Sequence, residues 1–200
     1  MLSGPAQVEH SVQRGFSIIE LSVALSVVGV LLALGMPSLS GYVQNARLGS
    51  AAKSFYTGVQ LARTQAIQRN GPVEFVMTSD AVASGVENSL SVDPLGANWV
   101  VRARASASSP YQLIEAKPML EGGGAAPSIT VAASAGLVTF NSLGGSATGL
   151  GETIVLQNPP MGLCVPLGSV RCWNVVVSPG GQVRLCNPDP AASASDTRKC

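Results

Sequence analysis

From Phe16 to Leu39 the chain is a nearly unbroken run of apolar and small residues, in which Glu20 is the only charge between Arg14 and Arg47. About 20 apolar residues cross a hydrocarbon core as a helix, so this run predicts a membrane-spanning one. Gly35, Pro37 and Gly41 interrupt it, and Pro37, which lacks a backbone donor, predicts a kink or local opening. Beyond it Leu39, Tyr42 and Ala46 continue one stripe. Ala52, Phe55, Val59, Ala62 and Ala66 then recur at spacings of 3 and 4, which is one buried face of an amphipathic helix. Lys53, Gln60, Arg63, Gln65, Gln68 and Arg69 lie mostly off that face, and Arg63 and Arg69 read as a solvated flank. Asn70-Gly71-Pro72 supplies a left-handed cap and a proline that cannot continue the helix. The pattern predicts one helix from Phe16 to about Asn70, its second half lying on a sheet.

After Pro72 the period changes to two. Short runs rich in β-formers occur at Val73–Met77, Trp99–Arg104, Gln112–Glu115, Ile129–Ala132, Leu137–Phe140, Thr153–Leu156, Cys172–Val177 and Gln182–Cys186. Ser178-Pro179-Gly180-Gly181 joins the last two as a hairpin. Ala103–Pro110, Gly122–Pro127 and Gly144–Gly151 are small-residue loops, and no internal repeat is visible. Trp99 and Phe140 read as core. The fold class is α+β, a long N-terminal helix packed on an antiparallel β-sheet.

Glu20 is costly where it stands. A carboxylate within a membrane helix is disfavoured by roughly 2.5–3.5 kcal/mol on insertion scales, so it persists where a partner satisfies it. Ordinary signal peptides do not place an acid at the head of their apolar core. The order Gly15-Phe16-x-x-x-Glu20-Leu21 resembles the prepilin signature of type IV pilins and type II secretion pseudopilins. That resemblance implies a leader, residues 1–15, cut by a membrane prepilin peptidase after Gly15, with methylation of the new amine on Phe16. It also implies that residues 16–39 remain as the transmembrane half of the helix, first an anchor and later filament core, with Pro37 where the helix loosens on packing. As the fifth residue of the mature chain, Glu20 is then expected to pair in hydrocarbon with the amine of Phe16 on a neighbouring subunit.

The resemblance continues into residues 40–70, the amphipathic half of the helix, and residues 71–200, a periplasmic β-rich domain. Leu61-Ala62-Arg63-Thr64-Gln65-Ala66-Ile67-Gln68-Arg69-Asn70 is similar to the helix end of the FimT/GspH family of minor pilins and pseudopilins. Trp99-Val100-Val101, Val138-Thr139-Phe140-Asn141-x-x-Gly144 and Gly181-Gln182-Val183-Arg184-Leu185-Cys186 are similar to that family's strands. Such a subunit primes or caps a filament. The implied partners are the peptidase, other major and minor pilins or pseudopilins, and an inner-membrane assembly platform. The implied location is the bacterial inner membrane, single-pass with the C-terminal domain in the periplasm, and then the pilus or pseudopilus.

The chemistry of the chain fits a structural subunit. Net charge is +1, and removal of residues 1–15 takes away Glu9 and Arg14 together, leaving it unchanged. The only histidine, His10, lies in the leader, so the mature chain has no imidazole for nucleophile activation or metal ligation. Glu74, Asp80, Glu87, Asp93, Glu115, Glu121 and Glu152 are scattered singly, and no phosphate loop, HExxH or GxSxG motif occurs. Neither an enzyme nor a cofactor is expected. Cys164, Cys172, Cys186 and Cys200 all fall in the last quarter, and an even count on the exported side of an anchor reads as disulfides. Of the three pairings, loop shortness favours Cys164–Cys172 and Cys186–Cys200, and the second tethers a tail that would otherwise lack order. Paired C-x2-C spacing for zinc is missing.

DNA-uptake members of the branch resemble one another in a C-terminal Gly-Arg-x-Arg. Here Gln182 replaces the first arginine and Arg184 alone remains, with Arg171, Arg198 and Lys199 as the other candidate phosphate contacts. Phosphate contacts add up in number, so nucleic acid is not the expected partner. The main reading is a minor pilin that primes a type IV pilus or sits at its tip. The alternatives are a GspH-like pseudopilin of type II secretion, a DNA-uptake minor pilin, and an anchored periplasmic ligand-binding domain. With the cognate peptidase, the mature chain is expected to begin at N-methylated Phe16; an intact mass that retains Met1, or a cut elsewhere, would refute the prepilin reading.

Overall fold

The two periodicities resolve into one helix, α1 (Ile18–Arg69), and eight strands that follow it. The computed structural model describes residues 15–106, 108–119, 129–193 and 195–200, with the side chains of 33–40 outside that description. Residues 1–14 with His10, and the expected loop Gly122–Pro127, lie outside the described residues. The chain divides into two compact units, Met1–Gly41 and Tyr42–Cys200.

In the first unit Ser17 begins the helix: Leu21 N–H donates to its carbonyl at 3.1 Å and Ile19 N–H to its hydroxyl at 3.4 Å. The apolar side chains from Ile18 to Leu32 face outward, while the Ser22 and Ser26 hydroxyls turn back onto carbonyls of their own helix at 2.9 and 2.8 Å. Among the described residues no helix is long and apolar enough to cross a membrane. The expected span from Phe16 to Leu39, and Pro37 within it, runs into the stretch whose side chains lie outside the description.

In the second unit one helical face is sealed. Leu48, Ala52, Phe55, Val59, Ala62 and Ala66 are fully buried or nearly so. At its N-terminal end that face does not run through Tyr42 and Ala46, as the apolar stripe implied; both are exposed. Stepping back four residues from Leu48 reaches Gln44 and three reaches Asn45, and these polar side chains are the half-buried ones. The helix ends on Asn70 at φ 49°, with Gly71 N–H donating to Ala66 O and Asn70 N–H to Ile67 O, both at 3.2 Å. This is a Schellman-type stop that satisfies two terminal carbonyls.

The strands form two antiparallel sheets rather than one. β1 (Val73–Thr78), β2 (Asn98–Ala103), β3 (Gln112–Lys117) and β5 (Leu137–Phe140) stand in the order β3-β2-β1-β5. β4 (Thr130–Ala133), β6 (Glu152–Gln157), β7 (Trp173–Val177) and β8 (Val183–Cys186) stand in the order β4-β6-β7-β8. Consecutive strands β4 and β5 therefore belong to different sheets. Their short connection is fixed by the buried Glu152 carboxylate, which accepts from Ser134 N–H at 2.6 Å and Ala135 N–H at 3.0 Å. Met77 N–H donates to Gly136 O at 2.7 Å, and Gly136 holds φ 72° against Pro94.

One core joins the helix face to residues of both sheets. Phe55 meets Phe75 edge-on at 6.3 Å, Phe75 meets Trp99 at 5.8 Å, and the Trp99 indole N–H donates to Ser54 Oγ at 3.1 Å. Gly58 is the close-approach point of the helix. Alanine ordinarily improves on glycine in a helix interior by about 0.5–1 kcal/mol. Here a Cβ would stand 3.0 Å from Phe75 Cε2 and from two Trp99 ring atoms. Overpacking of this kind costs about 1–3 kcal/mol, so Gly58→Ala is expected to destabilise by about 1–2 kcal/mol net. The check is a lowered urea midpoint at unchanged slope; an equal or higher midpoint would mean that the rings give way.

Candidate functional site

The sequence-predicted residues fall into three places. At the start of α1, Gly15, Phe16 and Glu20 are all exposed, and Phe16 is 86 % so. Ser17 precedes Glu20 by three residues, so the acid also stands in the first turn, where the helix dipole favours it.

The second place is the C-terminal tail beyond β8. The bond Cys186–Cys200 brings its two Cα atoms to 5.1 Å, and Cys164–Cys172 closes the other loop at 5.5 Å. Backbone pairing supports the tail: Asn187 N–H donates to Arg198 O at 2.5 Å and Cys200 N–H to Asn187 O at 3.0 Å. The cations then turn onto the tail itself. Arg184 Nη2 donates to Lys199 O at 3.2 Å, and Lys199 Nζ donates to Pro190 O and Ala192 O at 3.2 and 3.0 Å. Arg198 Nε lies 3.3 Å from Asp196 Oδ1. The Arg198 backbone N–H, and after it the Arg198 side chain, hold the Asp196 carboxyl below the ordinary carboxylate range. Arg184, Arg198 and Lys199 are thus brought together. Arg171 shares no bridge with them among the described residues; its backbone N–H donates to Asn45 Oδ1 at 2.9 Å.

The third place joins the motifs quoted from separate parts of the sequence. Asn141 Oδ1 accepts from Leu143 N–H at 3.0 Å and Gly145 N–H at 3.1 Å, folding the loop after β5. Gly144, at φ 79°, presents its carbonyl to Arg63 Nε at 3.1 Å, so Arg63 is a half-buried clamp and not a solvated flank. Arg69 remains exposed, bonded to Gln65 Oε1 at 3.0 Å. A Cβ on Gly181 would fall 1.7 Å from Gly144 O, so the β7–β8 hairpin can meet this loop only backbone to backbone. Helix end, sheet edge and hairpin converge there.

The carboxylates, which sequence spacing leaves single, are mostly engaged. Glu74 and Arg102 are direct cross-strand partners on β1 and β2, bonded at 2.9 Å and nearly buried. Arg102 Nη1 also donates to Glu87 O at 2.6 Å, Tyr111 OH to Glu74 Oε1 at 2.8 Å, and the Arg102 guanidinium lies 3.8 Å over the Tyr111 ring. Burial, and then the bond to Glu74, push the Tyr111 hydroxyl up and keep it a donor. Asp80 accepts from Ser91 N–H at 2.7 Å, and Asp93 from Leu95 N–H at 2.9 Å and from the Ser79 hydroxyl. The Ser79 bond, then that of Leu95, hold the Asp93 carboxyl below its ordinary range. Among the described residues no three His, Cys, Asp or Glu side chains group to hold a metal, and all four thiols are in disulfides.

Comparison with known proteins places these features. Residues 51–181, well over half of the chain, match the family Type II transport protein GspH. Residues 10–36 match the prokaryotic N-terminal methylation motif. The fimbrial protein EcpC of Eikenella corrodens is 26 % identical over 116 residues, which cover 54 % of this chain and 72 % of that protein. Among solved structures, the type IV minor pilin FimU of Pseudomonas aeruginosa superposes with a TM-score of 0.48 at 13 % identity, covering 72 % of this chain and 91 % of that one. The minor pseudopilin EpsH of the Vibrio cholerae type 2 secretion system gives 0.46 at 15 % identity, covering 71 % and 98 %.

Proposed function

Since the chain belongs to the FimT/GspH family of minor pilins and pseudopilins, we propose that it is a minor pilin that primes a type IV pilus or is incorporated at its tip. The observation that carries this is the start of α1. Gly15, Phe16 and Glu20 head a helix whose apolar side chains to Leu32 are exposed among the described residues. Such a surface needs hydrocarbon first and neighbouring subunits afterwards. A first-turn acid gains about 0.3–1 kcal/mol from the helix dipole, well short of the roughly 2.5–3.5 kcal/mol that hydrocarbon exacts. Capping alone does not account for Glu20. An amine on Phe16 of the next subunit, released by the prepilin peptidase, supplies the missing partner.

The setting is an inner-membrane anchor, residues 16–39, with the domain from residue 40 onward in the periplasm. The stapled tail and the fimbrial relative favour the pilus over type II secretion. The function is structural, and the engaged carboxylates support that reading. Glu20→Ala is expected to leave membrane insertion intact, since a helix without the charge inserts more readily. Recovery in sheared pili is expected to fall, since the Phe16 amine is left without a partner in a low-dielectric setting. Normal recovery of Glu20→Ala would overturn the role of the pair.

The tail is a docking surface in this reading and not a DNA-binding edge, because Arg184, Arg198 and Lys199 are engaged with tail carbonyls and Asp196. Fluorescence anisotropy with duplex DNA and the oxidised domain from residue 40 onward is expected to give no salt-sensitive binding. Binding whose log–log salt slope approaches about −0.9 per contact over several contacts, and which Arg184→Ala weakens for every sequence, would restore the DNA reading.

A further inference from the structure

Where α1 stops against the ends of β2 and β3, a space of about 270 Å³ is left that the filament reading does not use. Residues 69–72 of the helix stop form one wall, and residues 103–105 with Gln112 form the other. Chain order brings the walls together. β1 leaves the helix stop at Val73, whose register partner on β2 is Ala103, and Ala103 is in turn the partner of Gln112 on β3. Two ionisable side chains line the space, Arg69 and Arg104, and both are cations.

Both are positioned before anything binds. Arg69 Nε donates to Gln65 Oε1 at 3.0 Å, and Gln65 Nε2 to Gln68 Oε1 at 3.1 Å. The Arg104 guanidinium lies 4.9 Å over the Tyr111 ring. That ring is itself fixed, since Tyr111 N–H donates to Asn88 Oδ1 at 2.7 Å and its hydroxyl to Glu74 Oε1 at 2.8 Å. The other Glu74 oxygen is taken by Arg102. A guanidinium carries five N–H donors, more than contacts of this kind consume. Cations held in place spare the ordering entropy that otherwise weakens association.

The complement follows from charge. Two cations on one space, with no carboxylate in its walls, favour an anion. The helix C-terminus opposes one, but its dipole counts for less than a charge-assisted hydrogen bond. Its Ala66 and Ile67 carbonyls are also already capped by Gly71 and Asn70 N–H. Charge decides which anion fits. A carboxylate or a phosphodiester carries one negative charge and leaves one cation unbalanced. A phosphomonoester carries about 1.5–2 near pH 7 and has three terminal oxygens, so it balances the pair and takes donors from both walls at once. Asn70 and Gln112 add neutral amide groups, one to each wall. An apolar occupant would strip water from the guanidinium groups and return nothing.

We propose that this space is a binding site for a phosphomonoester dianion, gripped by Arg69 from the helix and by Arg104 from the strands. A soluble ester and a lipid headgroup that ends in phosphate share this chemistry. The inference goes beyond the filament reading and stands without it, since neither Phe16 nor Glu20 takes part.

The test uses the oxidised full-length chain in phosphatidylcholine nanodiscs, with NMR detection of the Arg69 and Arg104 Nε–H groups. The probes are inorganic phosphate, glycerol phosphate, a short-chain phosphatidic acid, dimethyl phosphate and acetate. The first three are expected to shift both reporters saturably, and the two monoanions to bind about tenfold more weakly. Lowering the pH from about 7.5 to about 5.5 is expected to weaken glycerol phosphate several-fold, because the ester takes up its second proton near about pH 6 while arginine stays charged. Phosphatidic acid binding more tightly than glycerol phosphate would identify a lipid headgroup, and equal binding a soluble ester; both support the site. Arg69→Gln, at an exposed position, is expected to weaken phosphate about tenfold, and Arg69→Lys, which keeps the charge and loses the planar fork, by less. No saturable shift at millimolar phosphate would overturn the proposal. So would an affinity indifferent to pH or to Arg69→Gln, or dimethyl phosphate or acetate binding as tightly as phosphate, which would make this a general cationic surface.

Discussion

A single face of α1, from Leu48 to Ala66, closes the core against residues of both sheets, and the placement of the domain's other elements follows from that constraint. One helix can serve two sheets only where it allows close approach. Gly58 does so under the Phe75 and Trp99 rings, and Ala52, Ala62 and Ala66 keep the rest of the face shallow. The sheets must also be held at their junctions. Glu152 pins the crossing from β4 to β5, and the Gly144–Gly181 contact pins the β7–β8 hairpin to the loop after β5. Arg63 adds the helix end to the same junction. In a chain so rich in glycine, alanine and serine, backbone contacts of this kind take over part of what large side chains do elsewhere.

Charge is used sparingly and locally. The Glu74–Arg102 pair is nearly buried, and a buried pair is weak evidence for stability because desolvation offsets much of the Coulomb attraction. Its value here lies in connection. Arg102 reaches the carbonyl of Glu87 and stacks on Tyr111, so one guanidinium ties β1, β2 and two long loops together. The tail follows the same rule: Lys199 and Arg184 serve carbonyls, and Asp196 bonds a backbone N–H in its own turn. Cations engaged in this way hold a loop in shape and have fewer donors left for an external anion.

Much of this architecture was legible in the sequence because it rests on local period. The buried stripe of the helix, its stop at Asn70 and all eight strands follow from spacing and turn residues within a few positions of one another. The signature around Gly15, Phe16 and Glu20 was legible for a different reason: an acid in an apolar run is costly, and costly residues carry information. What local pattern could not give was pairing at long range. The division into two sheets depends on which edge β4 and β5 join, and three residues of linker do not encode that choice. Glu74 and Arg102 meet because of strand register, 28 positions apart. Tyr42 and Ala46 extend an apolar stripe in the sequence, yet the buried face at that end is completed by Gln44 and Asn45. Their amides find Asn158 at 3.1 Å and the Ser169–Arg171 loop. Polar residues at a helix–loop junction are buried there because the loop's backbone groups need partners, a demand invisible until the loop is placed.

The two disulfides belong to this same logic. In the chain-entropy account a loop of about 15 residues gains roughly 3 kcal/mol from closure, and both loops here are of that order or shorter. Neither loop carries much core of its own: the first lends the core Val170 and Cys172, while from Leu163 to Ser169 no side chain is fully buried. Covalent closure therefore replaces burial, and it leaves apolar side chains such as Leu163 and Leu167 free to face outward. A segment tethered by packing alone would have turned those leucines inward. Stapling and exposure are thus two aspects of one arrangement, in which these loops are ordered without being filled.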